Sequence, residues 1–179
     1  MVLSVNKLSP RKIARMGLLM AAALILSWVE AVLPFQIPIP GVKLGFANII
    51  TLVVLYQYSF PTALLFGILR VLLSSLFLGR LSGVLFGLCG TLLSVCGMAF
   101  LKRCRCFSSL SVSAAGAILH GVGQLTVASV LLTPSVWTML PLMGISSAFC
   151  GIITWIPLKI LGRYEVVFPS DGGKSLNKD

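Results

Sequence analysis

The sequence predicts an all-α polytopic membrane protein: a bundle of six transmembrane helices with both termini in the cytoplasm and a Pro-rich outer loop between helices 1 and 2. Three observations support this prediction: the apolar composition, six apolar runs and the placement of the basic residues. Of the 179 residues, 58% are apolar and 10% are charged, and the mean hydropathy is +1.04. A soluble domain of this size does not need so apolar a chain to build its core.

The apolar runs predict six crossings. Bounded by charges, prolines and glycines, they lie at 13–33, 45–58, 62–79, 82–101, 111–132 and 137–161. Since a spanning helix needs about 20 apolar residues, the length allows about six crossings with short connections and no separate soluble domain. We expect a cytoplasmic N-terminus over 1–12, one transmembrane domain over 13–161 and a flexible cytoplasmic tail over 162–179.

The basic residues predict the orientation. All but three of the 14 Lys and Arg fall into three clusters: Lys7, Arg11, Lys12 and Arg15; Lys102, Arg103 and Arg105; Lys159, Arg163, Lys174 and Lys178. Because Lys and Arg are enriched in cytoplasmic loops, six crossings place all three clusters in the cytoplasm. The net charge of +10 therefore reflects membrane orientation, and no nucleic-acid partner is expected, since the basic residues form no face interleaved with exposed aromatics.

The cysteines indicate neither a disulfide framework nor a metal site. Cys89 and Cys96 lie in one apolar run, Cys150 lies in another, and Cys104 and Cys106 lie in the middle basic loop without CxxC spacing. We interpret the last two as reduced cytoplasmic thiols. No metal and no cofactor are predicted.

The second apolar run, 45–58, is too short to span the hydrocarbon core unaided, so its helix should begin below the outer surface. The segment 34–44 before it contains three prolines. Irregular backbone survives at membrane depth only where protein buries it or a wet cavity solvates it. The segment is therefore either the lid of a cavity or an ordinary surface loop.

Small residues form stripes on two helices. The stripe on helix 4 has 4-3-4-3 spacing and comprises Gly83, Gly87, Gly90, Ser94 and Gly97. Because small residues let membrane helices approach closely, we predict packing rather than ligand binding for this stripe. The small face of helix 1 comprises Ala14, Gly17 and Ala21. It lies nearly opposite the face that carries Glu30, so it is free to meet a partner.

Polar side chains lie inside four of the apolar runs: Glu30 in the first, Asn48 in the second, Arg70 in the third, and His120 and Gln124 in the fifth. Arg70 shares a face of helix 3 with small residues, and His120 and Gln124 stand one turn apart on helix 5. A charge near mid-membrane costs a few kcal/mol, so it normally faces a partner or a wet cavity and marks function. A structural ion pair for Arg70, and a simple interhelical hydrogen bond for His120, stay open as alternatives.

Depth along the helices groups these residues in the outer half of the bundle, beneath the Pro-rich loop. The predicted solute-binding residues are Glu30, Lys43, Asn48, Arg70, His120 and Gln124. Two or three cationic groups against one carboxylate favour a small anionic solute with carboxylate or phosphate groups. We predict an outward-facing pocket capped by residues 34–45, with Lys43 and Asn48 reaching the ligand.

Three stretches resemble one known family. The run PGVKLGFANIITL from Pro40 to Leu52 resembles the PGIKLGLAN-type motif of the bacterial Gx transporters, a membrane family also labelled heptaprenyl diphosphate synthase component I. The stretch LRVLL from Leu69 also matches, and GAILHGVGQL from Gly116 is similar to GAxxHNxGQL, with Gly121 in place of the usual asparagine. The resemblance covers roughly residues 12–160 and implies a multi-pass protein of the bacterial cytoplasmic membrane.

That family in turn looks like the substrate-binding S components of energy-coupling factor (ECF) transporters. These are six-helix membrane proteins in which an outer loop caps the ligand and the first helix packs on a coupling membrane subunit. The resemblance implies that the small face of helix 1 (Ala14, Gly17 and Ala21) meets such a subunit. It also implies separate ATPases, since the sequence contains no GxxxxGK[ST] phosphate loop.

Two other functions stay open: a non-catalytic membrane subunit in polyprenyl (heptaprenyl) diphosphate synthesis, and a membrane scaffold without a solute. Prenyl chain elongation needs clustered carboxylates that hold magnesium against a diphosphate. The four acids here are Glu30, Glu165, Asp171 and Asp179, and no two of them share an intramembrane site. We therefore predict that the protein is not an enzyme.

Overall fold

The computed structural model describes residues 10–32, 48–79, 81, 83–104, 107–132, 134–141 and 144–145. Within these residues the secondary structure is entirely helical. The elements are α1 (Pro10–Val32), α2 (Asn48–Gln57), α3 (Phe60–Phe77), α4 (Gly83–Cys104), α5 (Ser109–Leu131) and a 3-10 helix (Pro134–Met139). The all-α prediction is confirmed for this part of the chain.

Four helices, α1, α3, α4 and α5, are long and apolar enough to cross a membrane. Their outer faces carry large apolar side chains that are mostly exposed, such as Leu18, Phe77, Phe100 and Val130. Water would penalise such faces, whereas hydrocarbon does not. The protein is therefore a multi-pass membrane protein.

Local sequence signals set where the helices begin and end. The extended residue Ser59 precedes α3, which has a proline in its first turn, and the Ser108 hydroxyl accepts a 3.3 Å hydrogen bond from the Ser111 N–H at the start of α5. After α3 the chain turns at Gly79, whose φ of 62° lies in the left-handed region that glycine adopts without strain.

The short helix α2 lies inside the bundle. Its 10 residues span about 15 Å, roughly half of the hydrocarbon core. Asn48 and most of the apolar residues that follow it are buried, and α2 contacts α1, α3, α4 and α5. The prediction that the second run does not span the core by itself agrees with this length.

Helices α4 and α5 make the closest approach in the bundle. A Cβ added at Gly90 would lie 2.8 Å from the backbone oxygen of His120, and one added at Gly123 would lie 2.8 Å from both Cys89 O and Gly90 Cα. On the α3 side, a Cβ at Gly87 would lie 2.8 Å from Val71 Cγ1. Gly87 and Gly90 of the small stripe therefore lie at close contacts between helices, as the packing interpretation predicts.

Basic residues from two of the predicted clusters lie at one end of the bundle. Lys102 Nζ donates a 2.8 Å hydrogen bond to the Leu55 carbonyl and lies 4.6 Å from the centroid of the Tyr56 ring. Lys12 Nζ lies 5.4 Å from the Tyr58 ring centroid. The start of α1 and the ends of α2 and α4 therefore meet, as the predicted alternation of crossings requires.

Several predictions lie outside the described residues. They include the N-terminus up to residue 9, the loop 34–45 with Lys43, most of the sixth run and the whole tail. The described start of the sixth run differs from a regular spanning helix, because Pro134 opens a 3-10 helix there. Six crossings and the cytoplasmic position of both termini stay predictions.

Candidate functional site

A polar cavity lies between α1, α3, α4 and α5. Its described lining comprises Ser27, Glu30, Arg70, Val71, Ser74, Ser75, Gly83, Gly87, His120 and Gln124. The cavity volume is about 20 Å³, which is room for about one water molecule. Four of the six predicted solute-binding residues therefore lie together: Glu30, Arg70, His120 and Gln124.

Arg70 is the cation among the described lining residues of this cavity and is 4% exposed. Its Nη2 donates a 3.0 Å hydrogen bond to the Thr91 hydroxyl of α4. Its Nε, also buried, has no hydrogen-bond acceptor among the described residues. Since a guanidinium has five N–H donors in a fixed fork, an edge of this side chain is available to an acceptor that enters the cavity.

Glu30 supplies the negative charge and is 7% exposed. It lies in the last turn of α1, on the same helix face as the buried residues Ala23 and Ser27. Its carboxylate and the Arg70 guanidinium attract each other electrostatically. Each charge therefore offsets part of the cost of burying the other.

His120 and Gln124 form the α5 wall. The side-chain nitrogens His120 Nε2 and Gln124 Nε2 lie 3.1 Å apart, and the imidazole accepts from the amide when its proton is on Nδ1. Gly90 makes room for the imidazole, because a Cβ there would lie 2.9 Å from the ring. Tight α4–α5 packing therefore fixes the position of the histidine.

Asn48 lies in a separate polar network. Its Nδ2 donates to the Ser94 hydroxyl at 2.8 Å, and Ser94 in turn donates to the Gly116 carbonyl at 2.8 Å. These bonds tie the start of α2 to α4 and α5. Asn48 does not line the described cavity, and its predicted contact with a ligand stays a prediction, as does that of Lys43, which lies outside the described residues.

Sequence reasoning missed Thr91 and Ser75. Thr91 lies one turn after Gly87 on α4 and is fully buried. Its signal was a hydroxyl directly after Gly90 of the small stripe, a stripe that we interpreted as packing alone. Ser75 follows Ser74 on α3 and lines the cavity, but a serine next to another serine in an apolar helix has no distinctive pattern.

The small face of α1 is uncovered by the described residues. Ala14, Gly17 and Ala21 are exposed, and a Cβ added at Gly17 would meet no atom within 4 Å. The face lies towards the basic end of α1, whereas Glu30 lies near the other end. One helix therefore carries both an exposed small surface and part of the cavity.

Metal binding finds no support in the described part of the chain, which contains no group of three His, Cys, Asp or Glu side chains that could hold an ion. Cys89, Cys96 and Cys104 are exposed and form no disulfide. The described lining of the cavity consists mainly of charged and hydrogen-bonding side chains.

The fold and the cavity define a helical multi-pass membrane protein with opposite charges buried between its spanning helices. The family model for heptaprenyl diphosphate synthase component I matches residues 19–161. The chain belongs to this family, which confirms the resemblance seen in its sequence. Neither the curated proteins nor the solved structures gave a match.

Proposed function

We propose that this protein is the membrane-embedded substrate-binding subunit of a transporter, similar to an S component, and that it recognises a small anionic solute in an outward-facing pocket. The observation that supports this most is the buried guanidinium of Arg70 in a cavity that four helices share. Buried charges in membrane helices are costly and therefore usually serve a function. This subunit is non-catalytic and lies in the bacterial cytoplasmic membrane.

The guanidinium suits an anionic group. Thr91 holds one of its nitrogens, while Nε has no acceptor among the described residues. Carboxylate and phosphate oxygens match the planar donor fork of arginine and form charge-assisted hydrogen bonds with it. His120 and Gln124, on the α5 wall of the same cavity, add polar groups that orient the rest of a solute.

The site must widen to take a solute, since its volume of about 20 Å³ is that of about one water molecule. Helix α1 is the element best placed to move. It contacts α2 and α3 but neither α4 nor α5 among the described helices, and it is the least buried of the four spanning helices. Outward movement of its Glu30 end widens the cavity, because Glu30 belongs to the lining.

Arg70→Ala is expected to weaken solute retention at least tenfold, because it removes the charge and the donor fork that hold the anion. The measurement is mass spectrometry of small molecules that stay bound after mild detergent extraction. Arg103→Ala is the matched control: Arg103 is exposed in the last turn of α4, so its loss should change nothing. Equal retention by the two variants would remove Arg70 from the site.

The proposed partners are a coupling membrane subunit, which docks on the small face of α1, and the ATPases that this subunit binds. Gly17→Leu is expected to abolish co-purification of the coupling subunit while solute retention stays unchanged. The reason is that the leucine meets no atom of the described chain but fills the space that a partner helix needs. Val29→Phe adds similar bulk on another exposed part of α1 and should leave co-purification intact. If both variants co-purify equally, docking occurs elsewhere.

The family name favours a second candidate, a non-catalytic membrane subunit associated with heptaprenyl diphosphate synthesis. The two candidates differ in their partners. Co-purification with a soluble prenyl synthase supports the second, and co-purification with a membrane subunit and ATPases supports the first. A scaffold without a solute predicts no retained small molecule in either preparation.

A further inference from the structure

Four basic side chains at one end of the bundle lie at the depth of lipid headgroups. Arg11 and Lys12 belong to the first turn of α1, and Lys102 and Arg103 belong to the last turn of α4. At about 1.5 Å per residue, the 23 residues of α1 and the 22 residues of α4 each span slightly more than the hydrocarbon core of about 30 Å. These four residues, which we call the basic surface, therefore reach the layer that contains the lipid phosphates.

The two lysines of the basic surface are held by the protein itself. Lys12 Nζ lies 5.4 Å from the centroid of the Tyr58 ring, and Lys102 Nζ lies 4.6 Å from that of the Tyr56 ring. The quadrupole of an aromatic ring attracts a cation above its face. Both tyrosines lie at the end of α2, a helix that contacts α1 and α4. The end of α2 therefore fixes two positive charges in the headgroup layer.

The two arginines of the basic surface are exposed, unlike the lysines. Neither guanidinium, of Arg11 or of Arg103, has a hydrogen bond or an ion pair with the described residues. An arginine presents a planar fork of donors that matches phosphate oxygens, and the resulting charge-assisted hydrogen bonds are strong. Both arginines are therefore available to phosphate groups in this layer.

Exposed apolar side chains extend from each arginine towards the middle of the bundle. Leu18 is 73% exposed and lies two turns after Arg11 on the same face of α1; Phe100 is 68% exposed and lies one turn before Arg103 on the same face of α4. A soluble anion contacts only the arginines, whereas a phospholipid also lays its acyl chains along the apolar residues. The Arg11 face lies about a quarter turn from the small face of α1, so the two surfaces differ.

We infer that the basic surface binds anionic phospholipids, with one phosphate group at Arg11 and another at Arg103. Basic residues attract anionic lipids near the membrane surface. A phosphatidylcholine headgroup carries a positive charge that the basic surface repels, whereas a phosphatidylglycerol headgroup carries only the negative charge. The inference is independent of the proposed solute-binding function, because no residue of the basic surface belongs to the described lining of the cavity.

The test compares two lipids with identical acyl chains, phosphatidylglycerol and phosphatidylcholine, added at equal mole fractions to micelles that contain the purified full chain. Native mass spectrometry measures the lipid that stays bound, and thermal unfolding gives the midpoint. We expect retention of phosphatidylglycerol to exceed that of phosphatidylcholine at least about fivefold, together with a midpoint that is higher by several degrees. Added salt should reduce the difference, because it screens exposed charges.

The double variant Arg11→Gln/Arg103→Gln should retain at least about tenfold less phosphatidylglycerol, since it removes two cations from the headgroup layer. Its retention of phosphatidylcholine should stay unchanged. Arg11→Lys/Arg103→Lys is the matched control, because it keeps both charges, and it should keep most of the preference. Both arginines are exposed, so neither double variant should change the midpoint in detergent without lipid.

Four outcomes overturn the inference. Equal retention of the two lipids would show no selection by charge, and full retention of phosphatidylglycerol by the glutamine variant would place the lipid elsewhere. Displacement of phosphatidylglycerol by an equal concentration of glycerol 3-phosphate, which has no acyl chains, would assign the surface to a soluble anion. Loss of a co-purifying protein from the glutamine variant, with lipid retention unchanged, would assign it to that protein.

Discussion

Gly123→Ala is expected to destabilise the bundle by about 1–3 kcal/mol, the usual cost of overpacking a well-packed core. The added Cβ would lie 2.8–2.9 Å from Cys89 O, Gly90 Cα and Cys89 C. All three atoms belong to the backbone of α4, so no side-chain rotation relieves the contact. The helices must separate, and separation weakens the packing that holds membrane helices together. The measurement is the midpoint of thermal unfolding in detergent.

Gly17→Ala is the matched control, because it makes the same chemical change in a spanning helix where the new Cβ meets no atom of the described residues within 4 Å. It should leave the midpoint unchanged or raise it slightly, since alanine favours helix more than glycine does. A midpoint for Gly123→Ala equal to that of the Gly17→Ala variant would show that α4 and α5 do not approach as closely as described.

Gly123→Ala should also displace the cavity residues of α5. Gly123 precedes Gln124 and lies about one turn after His120, and a Cβ at Gly90, on the facing helix, would contact His120 itself. A separation of α4 from α5 by a few tenths of an ångström moves the α5 wall away from Arg70 and Thr91. Packing and recognition are therefore coupled through the glycine pairs, which explains why small residues surround the polar ones.

The sequence predicted most of the fold because its signals are periodic. The first, third, fourth and fifth apolar runs coincide with α1, α3, α4 and α5 within a few residues, since helix boundaries in membranes follow charges, prolines and glycines. The face of α1 with Ala23, Ser27 and Glu30 is the buried face, as small and polar residues at helical spacing indicate.

The site was predictable only in part. Residue type and depth brought together Glu30, Arg70, His120 and Gln124, but neither gives the rotation of one helix against another. The rotation of α4 brings the Thr91 hydroxyl within hydrogen-bond distance of Arg70. It also brings the Ser94 hydroxyl within hydrogen-bond distance of Asn48. Spacing along one helix shows which residues share a face. Which residues of two helices contact each other depends on how the helices pack, and this cannot be read from the spacing in a single sequence.

Substitution of Arg70, which pairs electrostatically with Glu30 in the cavity, is expected to have the second large effect on stability. Arg70→Met is expected to cost about 3–5 kcal/mol of stability, because it removes a charge that attracts the buried Glu30 carboxylate. The double variant Glu30→Gln/Arg70→Met removes both charges and should recover most of that loss, as replacement of a buried pair by neutral residues often does. Unfolding midpoints of the two single variants and the double variant, converted into a coupling free energy, test this.

Solute retention in the same three variants separates a structural pair from a binding pair. If the charges served stability alone, the double variant would recover retention together with stability. We expect it to recover stability and still lose at least tenfold in retention, because the donor fork at Arg70 is absent whatever happens to Glu30. Recovery of both would assign Arg70 to bundle stability and would remove it from the proposed solute site.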